Sequence, residues 1–377
     1  MTRVPAWMRS AIDAALVMAI GMGFGRFAYT ALYPHMVEEG VLSLSGGSMA
    51  ASANYAGYLV GALLAVKARP ASAHRFCLWA VGGTAACLAM LAVIDATWAI
   101  VAVRGVAGIF SAISMVAASL WLLEHRQHLQ GAPLLYAGVG VGVALSAELV
   151  VVAARLGLES PGLWLMLGVV SLVLGGLAVP GLTTGAASER PASSAAPRRG
   201  ESVKALPLVT IYGLAGFGYI VTATYLPLLV KTALPDVDAA HVWAVFGLGA
   251  APSCFLWHRL HLRLGTRRSL ACNLGLQAFG VVLPILLPGG VGYMASALLV
   301  GGTFMGTVTI AMPAAQQAAR HASGNLLASM TLTYSIGQII GPLGATALHA
   351  ISHSFQGSLL AAGGALLVGA CMSLAAL

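Results

Sequence analysis

Three ionisable side chains stand inside long apolar stretches: Arg26, Arg104 and Glu148. A charge at bilayer depth costs several kcal/mol unless it is paired or faces a wet cavity, so each is a candidate for function. Arg26 lies eight residues before Pro34, Arg104 six residues after Trp98, and Glu148 seven residues before Arg155. At 1.5 Å per helical residue, all three are expected about 9–12 Å beneath one membrane face. Two arginines and one glutamate there would sum to +1. With Glu148 neutralising one guanidinium, the other is free to hold an anion, best a carboxylate gripped by the planar fork. Protonating Glu148 would raise the local charge, which makes Glu148 a candidate proton-coupling residue. The alternative reading is a salt-bridge network that only holds the first half of the chain together.

Polar stripes at helical spacing give further candidates. Arg26, Tyr29, Thr30 and Tyr33 share one face, as do Thr331, Tyr334, Ser335 and Gln338. Asn54 pairs with Tyr58, and Tyr219 with Thr222. Substrate contacts are expected from Arg26, Tyr29, Asn54, Arg104, Tyr219, Thr222 and Gln338. The glycine run at 138–142 lies within an apolar stretch with no strand before it, so it reads as close helix packing and not as a nucleotide loop. Histidine pairs at 125/128, 258/261 and 349/353 sit at helix ends without Cys or carboxylate partners, so no metal is expected. No His-Glu-x-x-His, Walker or Gly-x-Ser-x-Gly motif occurs, so neither an enzyme nor a cofactor is indicated.

The elements that must position these residues follow from composition. Of 377 residues, 59% are hydrophobic and only 8% charged, with mean hydropathy +0.89. A soluble domain carries roughly 25% charged residues, so an all-α polytopic membrane protein is indicated. The net charge of +8 does not mark a nucleic-acid surface, because the bases fall in connectors. The apolar runs predict twelve transmembrane helices, at 10–34, 43–66, 75–94, 98–123, 132–155, 161–180, 205–231, 239–258, 268–287, 290–318, 324–349 and 355–376. The break at 181–204 has linker composition, rich in Ser, Pro, Ala and Arg. It divides a six-helix bundle at 1–180 from another at 205–377.

With the N-terminus inside, 15 of the 19 basic residues fall in inner segments and two in outer ones, which predicts cytoplasmic termini. An internal repeat supports two pseudo-symmetric bundles. Gly23-Phe24-Gly25-Arg26 precedes Pro34, and Gly216-Phe217-Gly218-Tyr219 precedes Pro227, with ten residues from Phe to Pro in both.

These residues carry a resemblance to a known family. The segments GFGRFAYTALYPHM at 23–36 and GFGYIVTATYLP at 216–227, the stretch from Gly301 to Pro313, and Tyr334 to Pro342 resemble the major facilitator superfamily, in its YbfB/YjiJ branch. The resemblance implies the major facilitator fold, with a central cavity and alternating access. Arg104-Gly105-Val106-Ala107-Gly108 resembles the Arg-x-x-x-Gly motif linked to proton coupling in relatives, and Arg259–Gly265 with Arg267 and Arg268 the basic gating loop. Ala65 stands where relatives carry Asp in the matching loop of the first half, and Gly337-x-x-x-Gly341-Pro342 resembles an antiporter motif displaced to helix 11. The cavity expected from the family is lined by the helices that carry Tyr29, Asn54, Tyr219 and Gln338. The expectation is a secondary transporter of the bacterial inner membrane, a symporter or antiporter, monomeric in the lipid bilayer. Its substrate would be a small organic anion, with protons as a coupled partner. The alternative is efflux of hydrophobic or cationic drug-like compounds anchored on Glu148.

Overall fold

In a chain this apolar, backbone N–H and C=O groups have no water to turn to, so they must be satisfied within each segment, and a helix does this. The computed structural model describes residues 5–65, 68–184, 204–234, 238–319 and 326–377, and every regular element among them is helical. The helices are α1 (Ala6–Glu38), α2 (Leu44–Ala65), α3 (Ala73–Leu91), α4 (Thr97–His125), α5 (Ala132–Arg155) and α6 (Ser160–Thr184), followed by α7 (Ala205–Ala233), α8 (Ala239–Leu286), α9 (Gly290–Ala319), α10 (Leu326–Ser352) and α11 (Gln356–Ala375). Among the described residues, nine helices are long and apolar enough to cross a membrane. Most of the expected linker, 185–203, lies outside the described residues, as do Arg3, Lys67 and Arg320 from the charge count.

Two departures from the expected pattern have local causes. The connector expected at 259–267 is helical on both sides of one residue, so α8 runs for 48 residues with a break at Gly265. Its φ of 76° and ψ of 176° form a backbone state open essentially only to glycine. In α1, residues Ala19–Phe27 form a π-helix between α-helical Ala6–Met18 and Ala28–Glu38. The wider turn displaces carbonyls that an α-helix would hold in its own ladder.

Contacts place the helix ends on two sides. At the near end, Ala11 meets Gly131 and Asp13 lies against Gly181. At the far end, the carboxylate of Glu39 accepts from Ser160 N at 3.0 and 3.1 Å, and Lys231 pairs with Glu38. Between the ends, α5 crosses α8 with backbones in contact. A Cβ on Gly140 would fall 2.3 Å from Ala251 N, and one on Gly247 would fall 2.4 Å from Ala144 N. The glycine run is therefore close helix packing on two sides, Gly140 against α8 beyond the linker and Gly138 and Gly142 against Ala15 and Ala19 of α1. Gly140→Val is expected to lower thermal stability by about 1–3 kcal/mol through overpacking, read as a drop in Tm of the purified protein.

Candidate functional site

The π-helix brings both intramembrane arginines to one place. Arg104 of α4, 1% exposed, donates from Nη1 to Gly25 O at 2.9 Å and from Nη2 to Arg26 O at 3.0 Å. Its guanidinium lies over the Tyr29 ring, 4.4 Å from the centroid. The planar fork thus caps two carbonyls at the end of the π segment, a task a point charge such as lysine performs poorly. Asn54 completes the tie by donating Nδ2 to Arg104 O at 2.9 Å, and the Tyr29 hydroxyl donates to Gly47 O at 2.9 Å. Arg104, Tyr29 and Asn54 therefore hold α1, α2 and α4 together, and none of the three lines the central cavity.

Arg26 is placed differently. It is 3% exposed, and its Nε and Nη1 are buried without a hydrogen-bond partner. Its guanidinium rests over the rings of Tyr58, Tyr55 and Phe27, at 4.1, 4.9 and 5.3 Å from the centroids. Among the described residues no carboxylate pairs with it. Aromatic faces attract a cation but supply no acceptor oxygen, so its N–H groups keep their hydrogen-bonding capacity.

Arg26 lies in the wall of a cavity of about 440 Å³ between the N-terminal and C-terminal segments. The opposite wall carries Tyr219, Gln338, Tyr334 and Phe304. Gln338 donates Nε2 to the Tyr219 hydroxyl, and its Oε1 is buried without a partner, as is Ser335 Oγ. The two members of the sequence repeat, Arg26 and Tyr219, thus line the same cavity from α1 and α7. The cavity runs down to Leu123 and Glu124 at the near end of α4. On the far side it is closed by contacts between the two segments. Trp243 Nε1 donates to Phe27 O at 2.8 Å, and Thr30 Oγ1 donates to Ala223 O at 2.9 Å. Beyond them lie Lys231 with Glu38 at 3.1 Å and His35 with Asp238 at 3.9 Å.

Glu148 does not join the arginines. Its side chain is 47% exposed, and its Oε1 lies 2.9 Å from His241 Nδ1 on α8. Arg155 Nη2 is 3.2 Å from His241 Nε2, and because arginine can only donate, Nε2 accepts and Nδ1 carries the proton toward Glu148. The expected shared depth fixed only the position along the axis. The rotation of α5 places Glu148 in line with Gly140 and Ala144, four residues apart each, on the face that meets α8. A cluster of three charges is therefore not formed, and the +1 sum does not describe the site. Glu148→Gln and Arg26→Gln are expected to change Tm additively, within about 0.5 kcal/mol in the double variant, since the two residues share no partner.

Of the other expected substrate contacts, Thr222 is fully buried with no partner for Oγ1, and it lies away from the cavity wall. Among the described residues no group of three or more His, Cys, Asp or Glu side chains could hold a metal. The cavity also uses residues not anticipated as ligands, Tyr212, Tyr136 and Phe304. Tyr212 stands seven residues before Tyr219 on the same helix face, a spacing that could have been read. Phe304 offers no such signal, being one aromatic residue in an apolar run.

A family model described as "Uncharacterised MFS-type transporter YbfB" matches residues 18–374, nearly the whole chain. No curated protein matches the chain.

Proposed function

Because the chain belongs to the YbfB-type family of major facilitator transporters and so serves membrane transport, we propose that it moves a small organic anion across the bacterial inner membrane by alternating access, with Arg26 as the anion's principal contact. The observation that carries this reading is the buried guanidinium of a cavity-lining residue, with two nitrogens that lack a hydrogen-bond partner and, among the described residues, no carboxylate paired with it. A charge so placed is costly, and an anionic guest would compensate it.

Features of the fold support a two-bundle transporter. Twelve spans result when α2 and α10, of 22 and 27 residues, join the nine long apolar helices and α8 is divided at Gly265. Two six-helix bundles, 1–180 and 205–377, joined by the linker at 181–204, fit the cavity's position between the segments. The bias of basic residues supports a cytoplasmic location for both termini and the near end. A cavity reaching the near end and closed at the far end then corresponds to an inward-facing state of a monomer. Proton coupling through Glu148 would act on the α5–α8 seam and its His241 partner, at a distance from the bound anion, and would not involve Arg104 directly.

Purified protein in liposomes tests the reading with radiolabelled acetate, butyrate and benzoate on one side and the cationic dye ethidium on the other, with and without a pH gradient. Carboxylate uptake in wild type and its loss in Arg26→Gln is the expected result. Movement of ethidium with no carboxylate uptake would assign the cavity to drug efflux instead.

A further inference from the structure

We infer that the anion this cavity accepts is an aromatic monocarboxylate; the inference rests on the reading that Arg26 holds an anion and adds the chemistry of the rest of the guest. The wall facing Arg26 is a ladder of rings. Tyr212 stacks on Tyr334 with centroids 4.5 Å apart, Tyr334 on Tyr219 at 5.9 Å, and Tyr219 on Phe304 at 5.0 Å, with interplanar angles of 23–28°. Phe304 then meets Phe27 edge to face at 5.6 Å and 80°. All five rings line the cavity.

Within such a ladder the inner rings occupy each other's faces, so a guest meets their edges. Ring edges carry the positive end of the aromatic quadrupole, and they attract the negative face of another aromatic ring. A planar guest ring satisfies this surface, whereas a saturated ring of the same size offers no π face. At the other end of the guest, Arg26 sits over Tyr58 and Phe27 and supplies the carboxylate's counter-charge. Among the described residues, the cavity wall holds one cationic side chain, Arg26, and one acid, Glu124, at its mouth. One cation matches one carboxylate, and Glu124 at the entrance disfavours a guest with two. A volume of about 440 Å³ falls at the small end of the range of ligand pockets, enough for a single substituted ring and too little for a large amphiphile.

The test measures thermal stabilisation of the purified full chain by benzoate, cyclohexanecarboxylate, succinate and benzylamine, in wild type, Phe304→Leu and Arg26→Gln. The expected result is that benzoate binds roughly three- to tenfold more tightly than cyclohexanecarboxylate. That preference should fall toward unity in Phe304→Leu, and both carboxylates should lose their effect in Arg26→Gln. Tyr334→Leu, from another helix, serves in its place should Phe304→Leu not fold. Equal stabilisation by benzoate and cyclohexanecarboxylate, both lost in Arg26→Gln, overturns the aromatic inference and leaves the anion reading intact. Stronger stabilisation by succinate overturns the single-carboxylate assignment. Stabilisation by benzylamine alone overturns both this inference and the reading it rests on.

Discussion

Arg26→Gln is expected to weaken carboxylate binding by one to two orders of magnitude while leaving the protein as stable as wild type or more so. Hydrogen bonds to charged groups contribute about 1.5–3 kcal/mol, so removing the guanidinium should weaken a bound carboxylate by roughly tenfold to a hundredfold. In the empty cavity the same side chain is a buried cation with two unpartnered nitrogens. A charge at that depth costs about 2.5–3.5 kcal/mol, offset in part by cation–π contacts worth about 0.5–2 kcal/mol. Its removal should therefore stabilise the ligand-free protein by on the order of 1 kcal/mol. Parallel thermal unfolding and binding measurements check both halves of the statement. A residue with a purely structural role would lose stability instead, and Arg26→Lys is not expected to restore binding fully, since an ammonium lacks the planar donor set.

Arg104→Gln is expected to do the reverse. Its fork serves Gly25 O and Arg26 O, and losing it leaves two buried carbonyls short of a donor. At about 1–3 kcal/mol for each orphaned group, the expected loss is on the order of 2–5 kcal/mol, large for a single substitution. The π segment that orients Arg26 would relax with it, so residual folded protein should bind carboxylates more weakly as a secondary effect. A lower Tm and a reduced yield of folded protein are the readouts. An unchanged Tm with abolished binding would show that Arg104, and not the π-helix it caps, contacts the substrate.

The two arginines look alike in the sequence, each a single charge in an apolar run, and the difference between them arises from backbone geometry. Depth along a helix follows from residue spacing, which is why Arg26 and Arg104 were expected together. Rotation about the helix axis does not follow from spacing unless the neighbouring helix is known. Glu148 shows this, since its face is set by the Gly140–Gly247 crossing. Tyr219, expected at the cavity from the polar face it shares with Thr222 and from the family resemblance, does line it, and it stands at the position of the repeat equivalent to Arg26. The π-helix left little trace beyond the glycines at 21, 23 and 25, and the displaced carbonyls that occupy Arg104 depend on it. The aromatic ladder was half visible. Tyr219 and Tyr334 stood out as polar positions, whereas Phe304 had no contrast with its apolar surroundings.

The most direct test of the central claim is the thermal shift produced by benzoate in wild type and in Arg26→Gln, measured side by side on purified protein. At 100 times its dissociation constant, a ligand that binds only the folded state stabilises it by about 2.7 kcal/mol. A clear benzoate-dependent rise in Tm is expected for wild type, and at the same benzoate concentration a rise of about half that or less for an Arg26→Gln variant whose ligand-free Tm is equal or higher. An equal rise in both proteins would contradict the central claim and move the anion site away from Arg26.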